Sequence, residues 1–310
     1  MAIVPVIGNM NCAKVIMDIG LLEMNYDTQM CTGLLDGKIS ACSYMSYKLV
    51  ILVSLVSIIF SDLIRVEAIS DTISGQFPYV ASMQWGMPPF IRLKHICAGT
   101  IIKPDWILTL GSCVTSSPNF GRTVIKVGIY DILHSDEHTQ TIDVENFIIH
   151  EDYAGGIAPN DIALLKLKNR IIYNERVSPI DFPVQSNVSI ETAVLIGWGS
   201  ACNKFHPKLR QKLQTSTVSI ITNEKCQTYC REIKDGSFIY DIQLCTIEQK
   251  ILSTSPGDNG SPLVQNVMGK SVLIGIESWN LTPCGSAIPS PTVYTRVTSF
   301  LNWINSKISV

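Results

Sequence analysis

The stretch Ser255-Pro256-Gly257-Asp258-Asn259-Gly260-Ser261-Pro262-Leu263-Val264 decides how the rest of the chain is read. It sets a carboxylate, an amide and a hydroxyl among glycines and prolines, then runs into apolar Leu263 and Val264. The chemistry open to its middle is narrow. The amide of Asn259 cannot attack a carbonyl and then leave as an ester. Ser261 carries a hydroxyl, two residues further on.

Around this loop lies a chain of 310 residues with net charge −2 and only 16% charged side chains. That length suits one large domain or two small ones. No basic run stands out, which argues against nucleic acid and against an anionic membrane surface as partners. There are ten cysteines. Cys12, Cys31 and Cys42 precede an apolar segment near residue 50, and Cys97, Cys113, Cys202, Cys226, Cys230, Cys245 and Cys284 follow it. No pair has C-x-x-C spacing, so neither a zinc nor a redox site is expected, and no cofactor is implied. Scattered cysteines behind a secretory segment read as disulfides made in an oxidising compartment. An odd number follows the segment, so at least one thiol is left over or pairs outside the domain.

Residues 1–44 show no sustained period and few capped elements. Met45-Ser46-Tyr47-Lys48 then opens the apolar run Leu49–Phe60. One lysine followed by such a run has the shape of a signal peptide over 45–61. It is short for a membrane span, which needs ~20 apolar residues, so no stable anchor is expected. The simplest expectation is that translation starts at Met45. Two cleavage readings stay open. Signal peptidase cuts near Ser61 and a trypsin-like enzyme later cuts Arg65–Val66, leaving 62–65 as a short activation peptide; or signal peptidase cuts after Ala68.

From Tyr79 onward the pattern is all-β. Short runs rich in Val, Ile and Leu are broken by Gly, Pro, Asn and Ser: 79–85, 99–102, 106–110, 125–129, 162–167, 193–196, 272–276 and 293–297. Repeated short strands suggest a sandwich or a barrel. The end differs: Phe300, Trp303, Ile304 and Ile308 fall at helical spacing, with Ser299 as the expected N-cap.

Several motifs now agree in order and spacing. The opening loop resembles C-x-G-D-S-G-G-P-L-V, the nucleophile loop of the trypsin-like (chymotrypsin-fold) serine peptidases. Trp106–Cys113 resembles W-V-L-T-A-A-H-C, and Asn160–Leu167 resembles N-D-I-A-L-L-x-L. Gly197-Trp198-Gly199, Gly275-Ile276-Glu277-Ser278-Trp279 and Val293-Tyr294-Thr295-Arg296-Val297 resemble G-W-G, G-I-x-S-W and V-Y-T-R-V. The resemblance covers residues 66–310 and implies two six-stranded antiparallel β-barrels closed by a C-terminal α-helix.

The same resemblance places the catalytic positions, and two of the three have changed. Ser112 stands where the general base histidine precedes Cys113, and Asn259 stands where the nucleophilic serine belongs; Asp161 keeps the orienting carboxylate. A serine hydroxyl cannot take a proton near neutral pH, whereas the histidine pKa of ~6.5 suits that role. Loss of either member alone costs on the order of 10⁶ in turnover, and the second loss adds little. Asp161 is therefore read as structural, with Ser112 and Ser278 as donors to it. The specificity pocket falls at Ser253, Asn280 and Thr292, whose side chains imply a narrowed or filled pocket. The oxyanion-hole amides fall at Gly257 and Asn259. If Arg65–Val66 is cut, the new Val66 ammonium is the family's partner for Asp258.

The resemblance also implies a Cys97–Cys113 bridge and a bridge from Cys226, or Cys230, to Cys245. Cys284 matches half of a third bridge whose partner falls at Ser255, so Cys230–Cys284 is the expected substitute, leaving Cys202 over. Asn187-Val188-Ser189 and Asn280-Leu281-Thr282 are glycosylation sequons. The implied function is a secreted, inactive serine protease homologue. It would act by binding proteins, as decoy or cofactor among extracellular proteases or their substrates in a proteolytic or immune cascade. The alternative is an active serine endopeptidase with rewired catalytic residues.

Overall fold

The structure, a computed structural model, describes residues 6–7, 31–32, 70–183, 191–201, 208–232, 236–247, 258–281 and 291–309. The chain divides into two units, Met1–Val66 and Glu67–Val310. Of the first, one antiparallel pair is described, β1 (Val6–Ile7) with β2 (Cys31–Thr32). Arg65, Val66, Asn187, Cys202, Ser253, Gly257 and Cys284, with the 45–61 segment, lie outside the described residues.

The second unit begins at β3 (Ser70–Asp71) and continues into a closed six-stranded barrel. Its strands are β4 (Val80–Met87), β5 (Ile91–Lys103), β6 (Trp106–Thr109), β7 (Arg122–Val127), β8 (Gln140–Ile149) and β9 (Ala163–Leu167). Every neighbour is antiparallel, in the order β4-β5-β6-β9-β8-β7. Closure leaves no edge strand to pair with another chain. Strand composition follows burial: β6 is buried throughout, and Lys166 is the one β9 residue not buried.

The second barrel is built from β10 (Thr192–Gly197), β13 (Gln214–Ile221), β14 (Gln243–Ile247), β15 (Pro262–Val267), β16 (Lys270–Asn280) and β17 (Pro291–Arg296). The order β10-β15-β16-β17-β14-β13 closes through pairing of β10 with β13, and β3 adds to the outer edge of β13. Between β10 and β13 lies a short pair, β11 (Ser200–Ala201) with β12 (Lys208–Leu209). Among the described residues, helices α1 (Gly111–Thr115) and α2 (Asn223–Glu232) interrupt the strands and α3 (Leu301–Ile308) follows them. These are the two barrels and the closing helix that the motifs imply.

Ser299 is not the cap of the last helix. It sits inside a 3-10 turn, Val297–Phe300, and Phe300 stands at the start of α3 with no side-chain capping bond. The helix is held instead by its sides. Ile304 and Ile308 are buried, Trp303 Nε1 donates to Glu151 Oε2 at 2.8 Å, and Lys307 pairs with Glu151. Two disulfides lie in the described residues, Cys97–Cys113 and Cys226–Cys245, with Cα separations of 6.1 and 6.2 Å. The second settles on Cys226, at the buried face of α2. Among the described residues no helix is long and apolar enough to cross a membrane.

Candidate functional site

The site forms where the end of β6 runs beside the start of β9. Thr109 pairs with Ala163 across those strands, so the residues just beyond, Ser112 at the start of α1 and Asp161, are brought together. Leu110, at the head of α1, supplies no side-chain cap. The first amides of a helix need acceptors, and Asp161 provides one. Ser112 N donates to Asp161 Oδ1 at 2.7 Å, and Ser112 Oγ donates to Oδ2 at 2.9 Å.

The other side of Asp161 faces the second barrel. Ser278 Oγ donates to Oδ2 at 2.7 Å, and Thr295 Oγ1 donates to the Asp161 backbone carbonyl at 2.6 Å. Ser278 can do this because the β16–β17 register slips between Glu277 and Trp279. A bulge re-aims the residue within it. Asp161 is 3% exposed. Burial pushes its carboxyl above the ordinary range, against the downward pull of the Ser278 and Ser112 bonds. The donors to its carboxylate, the Ser112 amide and the hydroxyls of Ser112 and Ser278, are all neutral, so no cation answers this charge in these bonds.

Asn259 lies on the loop before β15. Its Nδ2 donates to the Ser278 carbonyl at 2.8 Å, and its own carbonyl accepts from Ala98 N at 2.8 Å. Asn259 and Ser112 face a common open cleft of about 370 Å³, shared with Tyr153 and Gly156. Tyr153 Oη donates to the Gly156 carbonyl at 2.9 Å. Its phenol is pushed up to about 12, first by desolvation and then by the nearby Asp161 charge.

The loop is fixed by backbone. Gly260 N donates to the Glu277 carbonyl, Glu277 N donates to the Ser261 carbonyl, and Ser261 N donates to the Asp258 carbonyl, at 2.9, 2.9 and 2.7 Å. Gly260 has φ +86°, and a Cβ there would stand 2.2 Å from the Ala98 carbonyl oxygen, so both torsion and space require glycine. Ser261 is fully buried, and its Oγ has no hydrogen-bond partner. Asp258, 8% exposed, turns its carboxylate into the Gly197-Trp198-Gly199 stretch, where Gly199 N donates to Oδ1 at 2.7 Å. A Cβ on Gly199 would fall 1.5 Å from Asp258 Oδ2.

Of the pocket positions, Asn280 and Thr292 face each other across β16 and β17, and Thr292 Oγ1 donates to Asn280 Oδ1 at 2.7 Å. Two residues in this region escaped the sequence reading. Glu277 is 1% exposed, one residue before Ser278. Its signal was a charge inside an apolar run. Tyr153 carried no signal, because nothing in its neighbourhood marks it as the wall of the Ser112 cleft. The described histidines are engaged elsewhere. His95 Nδ1 is 2.8 Å from Ser82 Oγ, His134 pairs with Asp131, His138 lies by Glu137 and Glu175, and His150 packs on Phe300 and Trp303.

Two β-barrels with an aspartate buried at their junction and a G-D-x-G loop beside it define a chymotrypsin-type fold. A model of the trypsin family matches residues 69–304. Trypsin-1 of Astacus astacus is 30% identical over 243 residues, spanning 76% of this chain and 97% of that protein. Lectizyme of Glossina austeni is 28% identical over 248 residues, spanning 76% of this chain and 83% of that protein. The chain belongs to the trypsin family of serine peptidases.

Proposed function

We propose that this protein is a secreted, non-catalytic member of its family that acts by binding other proteins, as decoy or cofactor among proteases and their substrates in an extracellular proteolytic or immune cascade. The observation that carries the reading is the Ser112–Asp161–Ser278 cluster. Both donors of Ser112, its backbone N–H and its hydroxyl, are given to Asp161. A base must accept a proton from the nucleophile near neutral pH, and a serine that donates to a carboxylate has no such capacity. Asn259 supplies an amide that is itself committed to the Ser278 carbonyl.

The rewired-enzyme alternative needs a new nucleophile and a new base. Ser261 is shut away from substrate by complete burial. Tyr153, the titratable wall of the cleft, holds its proton at neutral pH because its phenol titrates near about 12. The Asn280–Thr292 bond joins the two pocket positions and so supports a narrowed pocket. The oxyanion-hole amides that the family resemblance assigns to Gly257 and Asn259 would, without a nucleophile, bind a carbonyl only weakly. Two disulfides and the Met45–Ser61 segment support passage through an oxidising secretory route.

The test uses the native secreted protein, with and without cleavage at Arg65–Val66, and a fluorophosphonate active-site probe. We expect no labelling in either form. Stoichiometric labelling at any serine would overturn the reading in favour of an endopeptidase.

A further inference from the structure

Another cleft among the described residues lies on the first barrel, apart from Asn259, with a volume of about 500 Å³. Its lining includes Val114, Phe120, Val144 and Phe147, with Arg122 and Asp143. Phe120 is 58% exposed. An exposed ring on a loop ordinarily moves freely, yet this one is braced. Its ring meets Trp85 edge-on at 5.5 Å, and Trp85 Nε1 donates to the Phe120 carbonyl at 2.7 Å. The next residue, Gly121, has φ +82°, and a Cβ there would meet the Gly86 carbonyl oxygen at 2.7 Å. The turn is therefore clamped onto the β4–β5 hairpin. Arg122 is also fixed, its Nη2 donating to Asp143 Oδ2 at 2.9 Å, and this pairing holds the Asp143 carboxyl below its ordinary range.

Charge is unevenly placed across the strands that adjoin this cleft, where β7 pairs with β4 and β4 with β5, Thr123 of the lining standing opposite Trp85 and Trp85 opposite Lys94. Residues 84–96 and 114–127 contain Arg92, Lys94, Arg122 and Lys126 and no Asp or Glu, in a chain whose net charge is −2. Asp143 answers Arg122. Arg92 and Lys94 are exposed on β5, and no carboxylate among the described residues pairs with them. At the tip of the same hairpin Phe90 is 83% exposed. Aromatic and arginine side chains, held in place beside a concavity, are the residues that dominate protein interfaces. A side chain ordered before binding loses less freedom on binding.

We propose that this surface docks an acidic, extended segment of a partner protein, with an apolar side chain of that segment seated against Phe120 and its carboxylates set towards Arg92 and Lys94. This rests on the protein-binding reading and gives it a location. A lipid surface is less well matched, because a flat bilayer has no use for a concave cleft, and three cations without a carboxylate partner are few for electrostatic attachment.

The probe is a fluorescein-labelled peptide alternating glutamate with phenylalanine, titrated by anisotropy into the full secreted protein at low and physiological salt. Lysine-for-glutamate and alanine-for-phenylalanine peptides, and phosphatidylserine vesicles, are run alongside. We expect binding of the acidic aromatic peptide alone, weakened by salt and reduced about tenfold or more by Phe120→Ala. Arg92→Glu with Lys94→Glu should also reduce it, and Met268→Ala, 92% exposed on the far β15–β16 turn, should leave it unchanged. Thermal melts of each variant confirm that it is folded. No binding, binding indifferent to Phe120, or vesicle binding of equal strength would overturn the proposal. Serine labelling in the active-site experiment would end the non-catalytic reading without touching this result, so the two failures are distinguishable.

Discussion

Two of the described aspartates are buried, and their surroundings differ in kind. Asp161 is 3% exposed and Asp258 is 8% exposed. Asp161 meets other side chains, the hydroxyls of Ser112 and Ser278. Among the described contacts, Asp258 meets backbone, the Gly199 amide and the bare Cα positions of Gly197 and Gly199. A side-chain partner can be exchanged for another donor of different chemistry while the cavity stays satisfied. A backbone cradle cannot be exchanged, because any Cβ enters the carboxylate. On the non-catalytic reading proposed above, that contrast accounts for a loop around Asn259 that keeps its backbone shape while its side chains depart from the family's pattern.

The largest expected effect breaks the rigid side. In Gly199→Ala the new methyl would fall on Asp258 Oδ2, at 1.5 Å, and the β10–β15 pairing next to it leaves little room to yield. We expect a loss of about 3 kcal/mol or more, or failure to fold, read from the urea midpoint. A variant as stable as the parent would show that the cradle yields and would erase the contrast.

The exchangeable side should respond by degrees. Asp161→Ala leaves the half-buried Ser112 N and Oγ and the buried Ser278 Oγ without their acceptor, at a cost of about 2–3 kcal/mol. Asp161→Asn keeps an acceptor and should cost less, but it removes a titration. Because burial raises the Asp161 pKa in the fold, the folded state holds its proton more tightly than the unfolded chain. Stability then falls as pH rises from the unfolded carboxylate value of about 3.9 through the raised folded value. Subtracting the Asn variant's pH–stability curve from the parent's should leave that downward slope. A flat difference would mean that Asp161 is not strained by burial.

Most of the fold was legible because its strands are buried on regular faces. The runs 106–110, 162–167 and 193–196 fall on β6, β9 and β10 within a residue or two. Strands β8 and β13 were missed for a physical reason. Only Ile142 of β8 and Val218 of β13 are buried, so neither shows an apolar run. Helix α2 was missed as well: its buried face is made by Cys226 and Cys230 instead of aliphatic residues. At the site, the family resemblance named Ser112 and Ser278 as donors to Asp161, and both bonds are present. It could not bring in Tyr153, which reaches the cleft by a loop excursion after β8, nor show that Glu277 is buried. The cleft beneath Phe120 was invisible too, because its rigidity comes from Trp85, 35 residues away in sequence.

A smaller effect tests the outer fastening of the last helix. Lys307 and Trp303 hold the Glu151 carboxyl down at about 2. This shift has the opposite sign to that of Asp161: its stabilisation is present above the unfolded value of about 4.3 and is lost as pH falls towards the folded one. The Glu151 side chain is 57% exposed, so screening limits the contribution. Glu151→Gln should cost about 0.5 kcal/mol at neutral pH, less in high salt, and should flatten the acid limb of the stability curve that Asp161→Asn leaves in place.

The smallest expected effect on activity is the most informative about function. Asn259→Ser restores a hydroxyl at the head of the loop and removes one bond, Nδ2 to the Ser278 carbonyl at 2.8 Å, worth about 1 kcal/mol of stability. Hydrolysis of peptide esters should remain at the uncatalysed rate, because the neighbour across the cleft is Ser112, already donating to Asp161. Adding Ser112→His supplies a ring that Asp161 can orient, and the double variant should give trace turnover, held low by the Asn280–Thr292 pair in the pocket. If Asn259→Ser alone turned over substrate robustly, a base other than residue 112 would have to exist. Asp161 would then be more than a buried carboxylate kept for the fold.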